Sequence, residues 1–239
     1  MHRAYHRWYC PHLNRDMELL VFGHAGMRVL AFPTSRGRFF EWEDRGLVGA
    51  LGGHLHQGRI QLFCVDGIDE ESWYARHKWP GDRAWRHVQY DSYLLNEVLP
   101  FTLTQSSHPF LTVTGASFGA YHAVNFALRH PREVGRVLGM SGLYDVSRFL
   151  DGHHDRNVYF NNPVEYVANE HDPARLADLR RLDVILAVGQ ADPQLDSNRR
   201  LSELLWSKGV WHAFRLWDGL AHDWPFWAKM LHLYLHGHD

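Results

Sequence analysis

Short apolar runs alternate with segments of helical periodicity along almost the whole chain of 239 residues. Eight of these runs have the length of a strand. They fall at residues 5–10, 17–22, 28–32, 60–65, 110–114, 134–140, 184–188 and 211–217. The alternation predicts an α/β fold in which helices flank a mostly parallel central sheet of about eight strands. Gly23-His24-Ala25-Gly26 lies between the runs at 17–22 and 28–32 and indicates a hairpin-like turn. Together with the earlier run at 5–10, these runs are expected to form an antiparallel start to the sheet.

Between the strands the spacing predicts helices at residues 45–55, 83–99, 120–128, 195–208 and 223–235. In the second of these, one mostly apolar face is expected to turn inward, because its residues step by three and four: Trp85, Val88, Ser92, Leu95 and Leu99. Pro100 is expected to end that helix because proline lacks a backbone N–H.

One segment interrupts the alternation. Residues 144–181 are long, polar and aromatic, and loops of this length usually have a function or cover something. We therefore expect a cap-like insertion after strand 6 that covers the active site. Nothing marks a domain boundary, so residues 1–239 are expected to form a single domain with a polar end at 236–239.

The composition narrows the range of partners. A formal net charge of −2 argues against nucleic acid or an anionic membrane as the main partner. No apolar stretch has the length of a membrane span, and the first residues lack the apolar region of a secretory signal, so a cytoplasmic location is expected. The 19 histidines are scattered without metal-ligand spacing, and neither a metal nor a cofactor is predicted. The sequence does not indicate an oligomeric state.

The sequence Gly115-Ala116-Ser117-Phe118-Gly119 carries the main chemical signal. It is a G-x-S-x-G motif that directly follows a predicted strand and precedes a predicted helix. In that setting the tight turn exposes the serine hydroxyl above the sheet, and the helix N-terminus favours negative charge beside it. Ser117 is therefore predicted to be a nucleophile.

A serine hydroxyl needs a histidine base, which in this architecture follows the last strand. His222 meets that condition, because it comes five residues after the 211–217 strand. His122 is closer in sequence, but it is expected to point away from the hydroxyl. His212 lies within a strand.

The acid that orients the base should follow a late strand as well, and Asp192 comes directly after the 184–188 strand. Asp196 and Asp145 stay open as alternatives. Asp223 adjoins His222, but the proline two residues later predicts that it caps a helix instead.

The oxyanion hole requires two N–H donors aimed at the developing negative charge. One is expected from the backbone of Phe118, the residue after the nucleophile. The second is expected in the loop 33–37, where Pro33 has no N–H to donate. Ser35 is the predicted donor, and Thr34 and Arg36 are the alternatives.

With these residues the chain resembles the α/β-hydrolase superfamily, and within it the group of esterases that includes esterase D and the antigen 85 acyltransferases. The resemblance rests on Gly115–Gly119, on residues 189–192 and on residues 219–227, which are similar to the G-x-x-H-x-W-x-x-W ending of that group. Ser72-Trp73-Tyr74 is similar to another stretch of that group. The resemblance covers nearly the whole chain and implies an α/β-hydrolase fold.

The sequence departs from the group at two places. Ala120 stands where another glycine is frequent, and Pro33-Thr34 replaces the usual His-Gly or Asp-Gly of the oxyanion loop. Because of the second departure, the family pattern does not identify the second oxyanion donor in this chain, whereas the prediction of the triad is less affected.

The expected function is hydrolysis of small-molecule carboxylic esters through an acyl-enzyme on Ser117. Acyl transfer to an alcohol uses the same triad and stays open, as does a non-catalytic binding protein on a hydrolase fold. The natural substrate is not readable from the sequence. Five aromatic residues are candidates for lining its pocket: Trp73, Tyr74, Tyr159, Phe160 and Trp224. Arg36 and Arg38, near the oxyanion loop, are candidates for meeting an anionic group.

Overall fold

The computed structural model describes residues 1–235, and within these residues eight strands form one mixed sheet. The polar end predicted at 236–239 lies outside the described residues. The strands are β1 (Arg3–Cys10), β2 (Arg15–Phe22), β3 (Met27–Phe32), β4 (Ile60–Val65), β5 (Leu111–Ala116), β6 (Arg136–Met140), β7 (Asp183–Gly189) and β8 (His212–Trp217). Every predicted strand is present, and each boundary lies within two residues of the prediction.

The sheet order is β1-β2-β4-β3-β5-β6-β7-β8. β1 pairs with β2, and β2 with β4, in antiparallel register, whereas the strands from β4 to β8 in that order pair in parallel. The mostly parallel sheet with an antiparallel start is therefore confirmed, but the hairpin predicted between the runs at 17–22 and 28–32 is wrong, because β4 lies between β2 and β3 in the sheet. Parallel strands end at the same edge of a sheet, so the loops after β3, β5, β7 and β8 converge there.

Helices cover both faces of the sheet. They are α1 (Glu41–Asp44), α2 (Leu47–Ala50), α3 (Gly52–His56), α4 (Pro80–Tyr93), α5 (Leu99–Gln105), α6 (Phe118–Arg129), α7 (Arg156–Tyr159), α8 (Pro163–Tyr166), α9 (Pro173–Leu179), α10 (Leu195–Ser207) and α11 (Trp224–Tyr234). One face buries side chains of α4, α6 and α10 in its core, and the other buries side chains of α1 to α3 and α11. No helix in residues 1–235 combines the length and apolar character that a membrane span requires.

The segment predicted as one helix at residues 45–55 instead forms two short helices, α2 and α3, which follow α1. Gly46 separates α1 from α2, because its φ of 80° lies in the left-handed region that interrupts a right-handed helix. The segment is helical, as predicted, but it is divided into short helices and does not form one continuous helix.

The helix predicted at 83–99 begins earlier and continues past Pro100. A π-helical turn at Leu94–Val98 leads from α4 into α5, and Leu99 donates its N–H to the carbonyl of Leu94. Pro100 then occupies the first turn of α5, where a missing N–H costs little. The prediction that Pro100 ends the helix is therefore wrong.

The buried face of α4 also differs from the predicted one. Trp85 is 53% exposed, whereas Tyr90 is fully buried and donates its hydroxyl hydrogen to the carbonyl of Asp66. Asp91 is buried on the same face and pairs with Arg129 and His130. Hydrophobic periodicity missed this face because polar side chains line it and are satisfied only by tertiary partners.

The interruption predicted at 144–181 contains a 3₁₀ turn at Ser147–Phe149 and the helices α7 to α9. Phe149 and Val158 of this segment share a buried cluster with Phe118 and Tyr121 of α6. The segment thus packs beside the residue that follows Ser117. That it covers an active site stays a prediction.

Helix α6 begins in close contact with the end of β3. A Cβ atom on Gly119 would lie 2.4 Å from the carbonyl oxygen of Pro33 and 2.8 Å from that of Phe32. Both neighbours are backbone atoms, which cannot rotate away. Only glycine at position 119 permits this approach.

We therefore expect Gly119→Ala to lower the free energy of unfolding by about 1–3 kcal/mol, because the new methyl group overpacks a backbone contact. Urea denaturation measures this loss. The matched control is Gly53→Ala in α3, where a Cβ meets nothing within 4 Å. That substitution should instead stabilise the protein by about 0.5–1 kcal/mol, since alanine favours a helix. Equal effects of the two substitutions would contradict the role of the contact.

Candidate active site

The turn between β5 and α6 places Ser117 at the carboxyl edge of the sheet. Ser117 has φ 55° and ψ −119°, which is a strained conformation for a residue with a side chain, and it is the N-cap of α6. A Cβ on Gly115 would lie 2.2 Å from the carbonyl oxygen of Gly119, so the turn closes only with glycine there. The strand, the strained serine and the helix match the setting that the sequence motif predicts.

The structure brings together the three side chains predicted as a triad. His222 Nε2 lies 3.2 Å from Ser117 Oγ. His222 Nδ1 lies 3.0 Å from each carboxylate oxygen of Asp192. The three residues follow β5, β7 and β8, so the parallel register of the sheet places them at one edge. The arrangement can transfer a proton from Ser117 to His222 while Asp192 orients the ring.

Asp192 is held as an ionised acceptor. Burial of its side chain acts to raise its pKa, but hydrogen bonds from His222, the Gln194 backbone and Ser141 outweigh that effect. The Gln194 N–H donates to Oδ1 over 2.8 Å. The net result is a pKa below the ordinary aspartate value, which keeps a negative charge beside the histidine.

The alternative bases have other partners. His122 Nε2 lies 2.8 Å from Asp69 Oδ1 in the interior, and His212 Nε2 lies 2.7 Å from the hydroxyl of Ser202. Neither histidine is recorded in contact with Ser117.

The alternative acids are also placed elsewhere. Asp196 has a side chain that is 97% exposed, and Asp145 accepts hydrogen bonds from Ser147. Asp223 accepts the N–H of Trp224 over 2.8 Å and caps α11, as its sequence context indicates.

Two carboxylates shape the loop that follows β3. Thr34 donates its N–H to Glu41 over 2.7 Å, and Arg36 donates its N–H to Asp69 over 2.9 Å. The backbone N–H of Ser35, which lies between them, has no acceptor among residues 1–235. The two alternatives to Ser35 are therefore occupied, whereas Ser35 can donate to a ligand.

The backbone N–H of Phe118 is the other donor predicted for the oxyanion hole. As the first residue of α6 it has no acceptor within the helix. Its ring meets Tyr74 edge to face at 5.3 Å, and Tyr74 donates its hydroxyl hydrogen to Ser35 Oγ over 2.9 Å. Tyr74 thus connects the two positions predicted for the oxyanion hole.

Asp69 is a residue that the sequence reasoning missed. Its buried carboxylate accepts from the Arg36 N–H with one oxygen and pairs with His122 through the other. It therefore ties the loop after β3 to the helix that carries Ser117. No motif contains Asp69, and only the juxtaposition of three separate segments identifies it.

Trp227 is a second residue outside the predicted triad that contacts one of its members, His222. Its ring lies 5.2 Å from the His222 ring in an edge-to-face contact, and its Nε1–H donates to Ser141 Oγ over 3.2 Å. The sequence offered a signal for Trp227, because it belongs to the ending quoted for the family resemblance.

The five predicted pocket aromatics differ in their placement. Trp73 is fully buried against Tyr121 and Phe149, so it packs in the interior, and its prediction as a pocket residue is corrected. Tyr159 and Phe160 meet each other at 4.9 Å, and Tyr159 packs against the core on the α4 side of the sheet. Tyr74 borders Ser35 and Phe118, as described above. Trp224 packs at 5.0 Å from Trp227, beside the ring of His222.

Within residues 1–235 the histidines, cysteines and carboxylates form no cluster of three that could hold a metal ion.

The chain matches one protein family. The sequence profile of the family described as "Putative esterase" matches residues 50–235, which is more than half of the chain. A comparison with curated protein sequences gives no significant match.

Several solved structures share the fold. A ferulic acid esterase superposes with a TM-score of 0.78 at 22% identity, over 98% of this chain and 96% of its own. Fluorophosphonate-binding serine hydrolase F of Staphylococcus aureus gives a TM-score of 0.73 at 14% identity, over 96% and 95% of the two chains. An S-formylglutathione hydrolase from Agrobacterium tumefaciens gives 0.72 at 14% identity, over 98% and 94%. At these identities the likeness shows the α/β-hydrolase fold.

We expect Asp69→Ala to lower the free energy of unfolding by about 1–3 kcal/mol, because the buried His122 and the partly buried Arg36 N–H lose their partner. Glu70→Ala is the matched control, since Glu70 is exposed and adjacent in sequence. Chemical denaturation of both variants measures the difference. A loss no larger than that of Glu70→Ala would refute the structural role of Asp69.

Asp192 also predicts a pH dependence of stability. Because its pKa is lowered in the folded protein, its charged form contributes stability above the unfolded-state value of about 4. That contribution is lost as pH falls through the lower folded-state pKa. The wild type should therefore have a higher unfolding free energy than Asp192→Asn above about pH 4, and this advantage should become smaller as pH falls below that value. Denaturation at a series of pH values tests this, with Asp196→Asn as the surface control. A constant difference would contradict it.

Proposed function

Given that the chain belongs to the Putative esterase family and is a carboxylic ester hydrolase, we propose that it cleaves small-molecule esters through an acyl-enzyme on Ser117. The observation that carries the proposal is the continuous hydrogen-bonded chain from Ser117 Oγ through His222 to Asp192. A cytoplasmic location stays a prediction.

In the proposed first half-reaction, Ser117 Oγ attacks the ester carbonyl carbon while His222 Nε2 accepts the hydroxyl proton. Asp192 keeps the other ring nitrogen of His222 hydrogen-bonded and stabilises the positive ring. The tetrahedral intermediate collapses, His222 returns the proton to the leaving alcohol, and the acyl group remains on Ser117. Water then attacks the acyl-enzyme, again with His222 as the base, and releases the acid.

We assign stabilisation of the negatively charged oxygen to the backbone N–H groups of Phe118 and Ser35. The free N–H of Ser35 and the unshared N–H at the start of α6 support this assignment. Preorganised donors of this kind typically contribute about 10²–10³ in rate each. The N-terminal end of α6 adds a favourable dipole at the same place.

We expect Ser117→Ala to reduce hydrolysis of p-nitrophenyl acetate, butyrate and laurate by about 10³-fold or more, because the nucleophile is removed. Ser147→Ala is the control, since Ser147 is an exposed serine outside the triad. Circular dichroism checks that both variants are folded. Addition of an alcohol acceptor reports acyl transfer, which would appear as a transacylated product.

A fluorophosphonate probe gives a second readout that does not depend on the choice of ester. Mass spectrometry of the labelled protein should locate the adduct on the peptide that contains Ser117. Equal hydrolysis by wild type and Ser117→Ala would overturn the assignment of the nucleophile. A folded wild type that neither hydrolyses any ester nor takes the label would favour the non-catalytic binding protein.

A further inference from the structure

A group of exposed arginines lies on aromatic rings beside the proposed site. The guanidinium carbon of Arg36 is 5.4 Å from the ring centre of Tyr74. The guanidinium carbons of Arg76 and Arg148 are 5.1 Å and 5.0 Å from the ring centre of Phe149. Tyr74 and Phe149 contact each other at 5.0 Å. We call Arg36, Arg76 and Arg148 the arginine patch.

The arginine patch is poor in compensating carboxylates. Within residues 1–235, neither Arg36 nor Arg148 has a carboxylate within ion-pair distance. Arg76 lies 3.7 Å from Asp151, but that carboxylate is bound more closely by Arg83, at 2.6 Å. The patch therefore carries net positive charge.

Nearby charged groups do not cancel this charge. Arg38 is close in sequence, but Asp66 and Glu18 each bind it at 2.6 Å, so its charge is neutralised. Asp69 is occupied by His122 and by the Arg36 backbone. Glu70 and Arg36 both line a cavity of about 140 Å³. Within residues 1–235, Glu70 forms no ion pair with Arg36.

Two arginines of the patch share one aromatic ring, and one of them is also held by a hydrogen bond. Arg76 donates from Nη1 to the carbonyl of Arg148 over 3.1 Å, and the two guanidinium groups cover Phe149, which is only 1% exposed. Guanidinium groups held on aromatic faces lose less conformational freedom when they bind a ligand. An anion can therefore meet a partly ordered set of donors.

The patch is also next to the reacting atoms. Arg36 follows Ser35, the proposed oxyanion donor, and Tyr74 connects Ser35 to Phe118. Phe118 in turn directly follows Ser117. The loop that carries the proposed oxyanion donor therefore also carries one arginine of the patch, and Tyr74 contacts both Ser35 and the Arg36 side chain.

We propose that the arginine patch binds a negatively charged group of the substrate, so that this enzyme prefers esters that carry a carboxylate. The inference rests on the proposed function, because it concerns the substrate of the same site. Arginine suits a carboxylate because its planar fork donates two parallel hydrogen bonds. Neutral esters of the same size lack this interaction.

The test compares matched ester pairs at about pH 7, where a carboxylate is ionised. Mono-p-nitrophenyl glutarate and p-nitrophenyl valerate differ by a charge on the acyl side. 3-Carboxyphenyl acetate and its methyl ester differ by a charge on the alcohol side. We expect the anionic member of at least one pair to have a kcat/KM about tenfold higher, and raising the salt concentration to reduce this preference. The pair that shows the preference identifies the side of the ester that faces the patch.

Three single variants, Arg36→Gln, Arg76→Gln and Arg148→Gln, test the patch itself. Each should lower the ratio of anionic to neutral kcat/KM about two- to fivefold, as for the loss of one exposed charge pair. The ratio within a variant cancels any general loss of activity. Arg148→Lys keeps the charge but loses the planar fork, so it should retain part of the preference, more than Arg148→Gln does. Arg59→Gln is the control with the same charge change, because Arg59 is exposed beside the start of β4, at the opposite edge of the sheet.

Two failures can be told apart. Ser117-dependent hydrolysis with no preference for either anionic ester, or with a preference that the three variants leave unchanged, would overturn the arginine patch and leave the esterase assignment standing. Absence of hydrolysis of all four esters by folded wild type would overturn the proposed function, and the inference with it.

Discussion

The close backbone contact between the start of α6 and the end of β3 is the constraint on which the site depends. Gly119 permits this contact, and Gly115 permits the turn that precedes it. Together they place Ser117 beside the loop that carries Ser35. If either position had a side chain, Ser117 and the loop that carries Ser35 could not approach each other without a shift of backbone atoms.

Two carboxylates outside the predicted triad, Glu41 and Asp69, hold the loop after β3 in one conformation. Glu41 accepts the N–H of Thr34, and Asp69 accepts the N–H of Arg36, whereas the intervening N–H of Ser35 has no acceptor in the described part of the chain, residues 1–235. Asp69 also binds His122, so the loop and the helix of the nucleophile are fixed relative to each other. The free donor is thus a consequence of how its neighbours are bound. Buried carboxylates that bind backbone N–H groups hold a loop in one arrangement at the cost of desolvation.

The candidate site combines a buried negative charge, on Asp192, with exposed positive charges on arginine side chains. Asp192 is buried and held ionised behind His222, where the proposed mechanism requires a negative charge to stabilise the positive ring. Three exposed arginines rest on Tyr74 and Phe149, and within residues 1–235 neither Arg36 nor Arg148 forms an ion pair with a carboxylate. One charge is fixed in the interior and acts on the base, whereas the others face solvent and are available to a substrate.

The sequence by itself determined the strands, the G-x-S-x-G turn, and His222 and Asp192 as the residues that follow β8 and β7. These follow from local rules: strand periodicity, small residues in a tight turn, and the convergence of parallel strands at one edge. Only the tertiary structure decided the buried face of α4, the continuation of the helix past Pro100, and the burial of Trp73. It alone also revealed Asp69 and the unneutralised Arg36, because a polar side chain is satisfied or left free by partners that lie far away in the chain.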